Sequence, residues 1–208
     1  MARSKSKKKE GTHPTYARLI DSATELLSIY SLSQITTDMI LEHSGVSRGS
    51  LYHHFEDLND LLMRSLTASF SDIVEQNINT IETLIEKTQS PSDFIKGAQI
   101  FNKISQSPDR RGLRLDRLRM ISLSMENEKF SDILKKEQDR LTSGYKILFE
   151  KAQANKWIST DIDPHAAAVF IQAYTFGRVI DDISGQKVDP AAWEGLLMKV
   201  VERVLTAP

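Results

Sequence analysis

An all-α fold is predicted by three features of this 208-residue chain: apolar residues recur at helical spacing along most of it, strand-like alternation is absent, and three Ser-Pro or Asp-Pro pairs mark helix starts. A hydrophobic content of 40% is enough to bury a core, and the length suits one domain or two. About nine helices are expected, three of them in a small N-terminal headpiece.

The first headpiece helix carries Tyr16, Ala17, Ile20, Ala23, Leu26, Leu27 and Tyr30 on one side. The second is short, from a hydroxyl cap at Thr36 or Thr37 through Met39 and Ile40 to His43. Gly45 follows, where the chain must turn through a backbone conformation that a Cβ disfavours. Ser47 is placed to cap a third helix, with Val46 and Leu51 holding it inward and Arg48, Gly49 and Ser50 forming its exposed first turn. Two helices joined in this way make either an ordinary hairpin or a helix-turn-helix, which reads base edges with the opening turn of its second helix.

The continuous string TTDMILEHSGVSRGSLYHHF at residues 36 to 55 favours the second possibility. Together with the amphipathic helix before it and the leucine-rich helix after it, it resembles the TetR family of bacterial regulators, with matching spacing over about residues 13 to 73. The resemblance implies a three-helix DNA-binding headpiece followed by a helical ligand-binding and dimerising core. The expected organisation is a basic arm at 1–12, a helix-turn-helix domain at 13–56 and a regulatory domain at 57–208. Arg48, Ser50, Tyr52 and His53 are the expected DNA contacts. Thr37, Ser47, Gly49 and His54 join them as neighbours by resemblance, His54 by supporting the headpiece. Two departures weaken the phosphate grip: Leu58 stands where many members carry a lysine, and Asp38 where some carry a base.

Charge is unevenly placed. Residues 1 to 10 hold Arg3, Lys5, Lys7, Lys8 and Lys9 against Glu10, a net of +4, whereas residues 11 to 64 hold three bases against seven acids, a net of −4. The arm, with Arg3 and Lys5 as its candidate DNA contacts, is therefore expected to supply much of the attraction to phosphate. Its bland alternative is a solubilising tail.

Beyond the headpiece, Asp57 can cap a fourth helix bearing Leu58, Leu61, Leu62, Leu66, Phe70, Ile73 and Val74, continuing as far as Ile85. Ser90-Pro91, Asp163-Pro164 and Asp189-Pro190 open three more, and Gly112 to Met125 and Asn127 to Trp157 read as helices between them. Small-molecule pocket candidates among the core aromatics and methionines are Phe94, Phe101, Met120, Tyr145, Phe149, Phe170 and Tyr174, each of which also serves as simple packing. Arg110, Arg114 and Arg117 share one helical face, read as solvated rather than as an anion site. The last two helices have wide apolar faces, which the resemblance pairs with a second copy; Phe170, Tyr174, Gly177, Trp193, Leu197 and Val201 are the homodimer candidates.

Other functions find little support. The chain has no glycine-rich phosphate loop, no HExxH helix and no cysteine, so neither an enzyme nor a disulfide is expected; Asp161, Asp163, Asp181 and Asp182 read as helix-end or surface acids. The histidines lack zinc spacing, so no metal or other cofactor is expected. Without a long apolar run or an apolar leader the expected compartment is the cytoplasm, with no membrane role. The resulting reading is a sequence-specific regulator of transcription, a repressor released from a palindromic operator in double-stranded DNA by a small-molecule effector. The alternative is a DNA-bound recruiter with no effector. Deleting residues 1 to 10 should lower DNA affinity and flatten the slope of log K against log salt by about 0.9 for each phosphate that the arm neutralises; an unchanged slope would remove the arm from the interface.

Overall fold

The computed structural model describes residues 13–205, and side-chain caps set its helix starts. In α1 (Pro14–Ile29), His13 Nδ1 accepts the Thr15 N–H while Pro14 occupies the first turn, where its missing donor does no harm. Thr36, rather than Thr37, caps α2 (Thr37–Ser44) by accepting the Met39 N–H. Ser47 caps α3 (Arg48–His54) through the Ser50 N–H. Between these helices Gly45 has φ 63°, the left-handed conformation that glycine adopts without strain. A side chain at Gly45 would also start 3.2 Å from the Arg18 guanidinium, which donates to the Ser44 carbonyl at the negative end of α2.

The fourth helix, α4 (Leu58–Lys87), runs unbroken for thirty residues. Asp57 accepts the Asp60 N–H at its start. Then follow α5 (Pro91–Ser105), α6 (Arg111–Ser124), α7 (Glu128–Ala154), α8 (Pro164–Gly177), α9 (Val179–Ile183) and α10 (Pro190–Leu205). All three proline-marked starts are present, with Ser90, Asp163 and Asp189 accepting the N–H groups of Asp93, Ala166 and Ala192. Only Arg178 separates α8 from α9, so the expected run of about nine helices is realised as ten segments among the described residues. The helix expected to reach Trp157 stops at Ala154 instead. Lys156 takes φ 59°, and the N–H groups of Trp157 and Lys156 turn back to the Ala152 and Gln153 carbonyls, satisfying the helix end in a Schellman arrangement.

The chain divides into two compact units, one ending at Phe70 and the other beginning at Ser71. In the first, α1 packs on α2 and α3 around Leu19, Ala23, Ile40, Leu51, Phe55 and Leu61, all essentially withdrawn from solvent. In the second, α7 lies along α8, α6 meets α7 and α9, and α5 meets α10. Phe94, Phe130, Leu141, Leu148, Phe149 and Ala168 form its apolar interior.

Arg114 and Asp182 depart from expectation. The face shared by Arg110, Arg114 and Arg117 turns inward rather than to solvent. Arg114 is 5% exposed and makes a two-point ion pair with Asp182, which is 9% exposed, at 2.5 and 2.9 Å. Its other nitrogen donates to the Ser105 and Ser107 carbonyls. Arg117 donates to Gln138 and lies over the Phe176 ring. The partner acid comes from α9, 68 residues away, and it converts an apparent surface charge into a buried, satisfied one.

Removing one partner of such a pair leaves the other buried and unmatched. Asp182→Ala should lower unfolding free energy in urea by about 3–5 kcal/mol at neutral pH, and a combined Arg114→Met, Asp182→Leu variant by less. The Arg114 hydrogen bonds hold the Asp182 carboxyl below its ordinary 3.8, so its contribution is present above that pH and vanishes as the carboxyl is protonated. The cost of Asp182→Ala should therefore shrink in acid.

Candidate functional site

Burial dictates which residues α3 offers to a partner. Leu51 at 0% and Phe55 at 2% exposure point into the headpiece, and the Phe55 ring stacks on Tyr16 with centroids 5.0 Å apart. At 3.6 residues per turn this leaves Arg48, Gly49, Tyr52 and His53 outward, and all four are exposed. Ser50 is half-buried and its hydroxyl is shared with that of Ser47, the exposed cap. Thr37 is half-buried in the first turn of α2. Arg3 and Lys5 lie outside the described residues.

His54 belongs elsewhere. Although grouped with the DNA-contact residues, it is rotated toward α1, its ring 5.1 Å from His13 and 6.1 Å from Tyr16. This placement suits the supporting role and removes His54 from the outward surface, because successive residues on a helix point about 100° apart.

Sequence reasoning also missed how the headpiece bases are engaged. Arg48 is bonded at 2.5 Å to Asp38 across the turn, both side chains being exposed. Arg64 pairs with Asp60 at 2.7 Å, and Arg18 is held at the end of α2. The acid at position 38, which by itself looks like a charge facing DNA, instead orients the arginine ten residues later. No composition signal announces that pairing; only the turn at Gly45 brings the two together.

A second candidate site lies wholly within the unit that begins at Ser71. A cavity of about 880 Å³ is walled by α4, α5, α7 and α8, with single contributions from Arg110, Ile162 and Val201. Phe94, Phe101, Tyr145, Phe149, Phe170 and Tyr174 all line it. Met120 does not: it is buried, but α6 contributes no wall residue. At Gly97 an added Cβ would lie 2.3 Å from a Leu84 methyl, so a side chain there would displace the Leu84 tip in the wall.

Polar groups in this wall are paired or set as donors. The Tyr145 hydroxyl donates to Asn77, whose own amide donates to the Ile73 carbonyl. The Tyr174 hydroxyl donates to Asn102 at 2.6 Å. Burial pushes the Tyr174 hydroxyl up to about 12 and that of Tyr145 higher still, so both remain protonated at neutral pH. Asn77 and Asn102 went unnoticed in the sequence because an isolated asparagine carries no periodic signal.

The homodimer candidates are divided by the same helical geometry. Leu197 and Val201 are buried within the chain itself, and Trp193 donates to Gln106 beneath the Arg178 guanidinium. These three repeat every four residues along the inward side of α10, whereas Leu196, one position before Leu197, is exposed. On α8 the order is reversed. Gln172 is buried in hydrogen bonds to Gln138 and Thr142, while Val169 and Phe170 are exposed. Tyr174 and Gly177 are half-buried, and nothing lies within 4 Å of where a Gly177 Cβ would be.

The model of the bacterial regulatory proteins of the tetR family matches residues 19–64, which hold most of α1, all of α2 and α3, and the start of α4. The likeness to the TetR family in sequence is thus carried by the headpiece. There α2, the turn at Gly45 and α3 form a helix-turn-helix of the kind found in those DNA-binding regulators. No curated protein matches it in sequence. Solved structures share the fold along nearly the whole length. A chain from Mesorhizobium loti, described as a TetR-family transcriptional regulator, aligns at a TM-score of 0.72 and 16% identity over 90% of this chain and 93% of its own. Salmonella enterica GusR aligns at 0.67 and 17% over 96% and 99%. A transcriptional regulator from Saccharomonospora viridis, solved in complex with choline, aligns at 0.68 and 15% over 90% and 95%. Among the described residues no helix is long and apolar enough to cross a membrane.

The headpiece also titrates. Partial desolvation, then His53, then His13 hold the His54 imidazole below its ordinary 6.5. A group that binds protons more weakly when folded than when unfolded costs stability as pH falls through the unfolded value. Headpiece unfolding, followed by near-ultraviolet circular dichroism, should therefore become easier below about pH 6.5, and His54→Gln should flatten that dependence. A wild-type profile that is flat between pH 7.5 and 5.5 would exclude this coupling.

Proposed function

We propose that this TetR-family protein is a repressor that binds a pseudo-palindromic operator as a homodimer and is released by a small-molecule effector. The observation that carries the reading is the cavity of about 880 Å³ within the regulatory unit, a size and apolar character suited to a small organic molecule. A solidly packed core would favour the rival reading, a DNA-bound recruiter without an effector. The neighbour solved with choline supports the view that this fold accommodates small molecules.

In this reading Arg48, Tyr52 and His53 contact the duplex from the outward side of α3, with Ser50, Thr37 and the α2 and α3 N-termini adding hydroxyl and N–H donors to phosphate. Arg3 and Lys5 supplement them from the basic arm. Dimerisation covers the apolar residues that α8, α9 and α10 leave outside, chiefly Val169, Phe170, Ile180, Ile183 and Leu196. Ligand in the cavity shifts α4, whose residues Gln76 to Lys87 belong to its wall, and thereby alters the separation of the paired recognition helices. A coupling of about 1–3 kcal/mol would weaken operator binding several-fold to a hundredfold.

Selection of the full chain on random duplexes should recover a two-fold symmetric motif with half-sites spaced by turns of the double helix. On that operator Arg48→Ala should cost about 1–3 kcal/mol, concentrated at one base-pair position of each half-site. An equal loss on every sequence would make Arg48 a phosphate contact, and failure to enrich any motif would overturn the reading.

A further inference from the structure

Two cations and no carboxylate face the cavity: its wall includes Lys87 and Arg110 but neither Asp nor Glu. Among the described residues neither cation has an ion-pair partner. They stand at opposite ends of the wall. On α4 the wall residues run from Gln76 to Lys87, and on α5 from Phe94 to Ser105, so each helix contributes about 16 Å of length at roughly 1.5 Å per residue. Lys87 closes α4 next to the start of α5, whereas Arg110 follows the end of α5. The intervening surface is mainly aliphatic and aromatic.

The Arg110 end also has a surplus of donors. Asn102 is 2% exposed, and its side-chain oxygen already accepts the Tyr174 hydroxyl, leaving its amide nitrogen buried with no partner. Turning the amide over does not remove the surplus. The nitrogen would then donate to the Tyr174 oxygen and free the hydroxyl proton. In either arrangement a buried donor lacks an acceptor, which costs stability until one arrives. Ser105 lines the wall at the same end. Asn102 lies behind the wall and Tyr174 within it, so a ligand meets the surplus through Tyr174: with the amide turned over, an acceptor that carries negative charge takes the hydroxyl proton and also matches the guanidinium.

We infer that the cavity binds an elongated apolar carboxylic acid, with its carboxylate at Arg110 beside the Tyr174 hydroxyl and its hydrocarbon directed along α5 toward Phe94. The inference rests on the effector reading of this cavity and adds the chemical class of the ligand. A cationic amphiphile would meet two like charges with no counter-ion, and a neutral alcohol would leave the guanidinium unmatched.

The test uses the full-length protein and three probes of equal chain length below their micelle thresholds: decanoate, 1-decanol and decyltrimethylammonium. Calorimetry measures affinity, supported by fluorescence of Trp157, whose ring lies 6.3 Å from the wall residue Phe94. Decanoate should bind at least tenfold more tightly than decanol, with no measurable binding of the ammonium probe. Arg110→Gln should weaken decanoate at least tenfold and leave decanol within twofold, while Lys87→Gln leaves both within twofold. Tyr174→Phe, which keeps the ring and its packing, should weaken decanoate at least threefold. Absence of decanoate binding, equal binding of acid and alcohol, or a loss on Lys87→Gln in place of Arg110→Gln would each overturn the inference. Decanoate that binds as expected but leaves operator affinity unchanged would uphold this ligand class and remove effector gating.

Discussion

The burial of Leu51 and Phe55 beneath α3 is the constraint on which the recognition surface depends. A seven-residue helix cannot be sustained by its own hydrogen bonds, since nucleation is unfavourable and few propagating bonds follow. It persists because its inner side is packed on α1, with Tyr16 stacked against Phe55. Once those two residues are inside, helical geometry sends Arg48, Gly49, Tyr52 and His53 outward and rotates His54 toward His13. Gly45 sets the direction in which α3 leaves α2, and Arg18 braces that turn from α1. Apolar packing thus positions polar groups that take no part in it.

Electrostatics in the headpiece are organised toward orientation rather than attraction. Each of its three bases already has an internal partner: Arg18 at a helix carbonyl, Arg64 at Asp60 and Arg48 at Asp38. An exposed pair such as Arg48 with Asp38 contributes little to stability, on the order of 0–1 kcal/mol, but it restricts where the guanidinium points before DNA arrives.

In the regulatory unit a few directional bonds tie helices to one another. The Arg114–Asp182 pair ties α6 to α9. Gln172 joins α8 to α7 by accepting from the Gln138 amide and donating to the Thr142 hydroxyl. Behind the cavity wall the Asn102 amide nitrogen is buried without a partner, next to the Tyr174 hydroxyl that faces the space.

Whatever rests on local periodicity and short-range chemistry was legible from the residues alone. The helical class follows from apolar spacing, the helix starts from Ser90, Asp163 and Asp189 before proline, and the headpiece from twenty consecutive residues whose turn, cap and core positions depend on one another within a few residues. Several aromatic residues of the cavity wall were named from composition alone, but Met120 was not separable from them, because facing a space and facing a neighbouring side chain look alike in one dimension. The charge partners, and the division of α10 into inner and outer sides, emerged only when the helices were assembled. Asp38 reads as a surface acid until Gly45 folds it against Arg48, and Asp182 does so until α9 meets α6, 68 residues from Arg114. An ion pair or a cavity depends on the distance between segments remote along the chain, whereas helical propensity and capping are properties of neighbours.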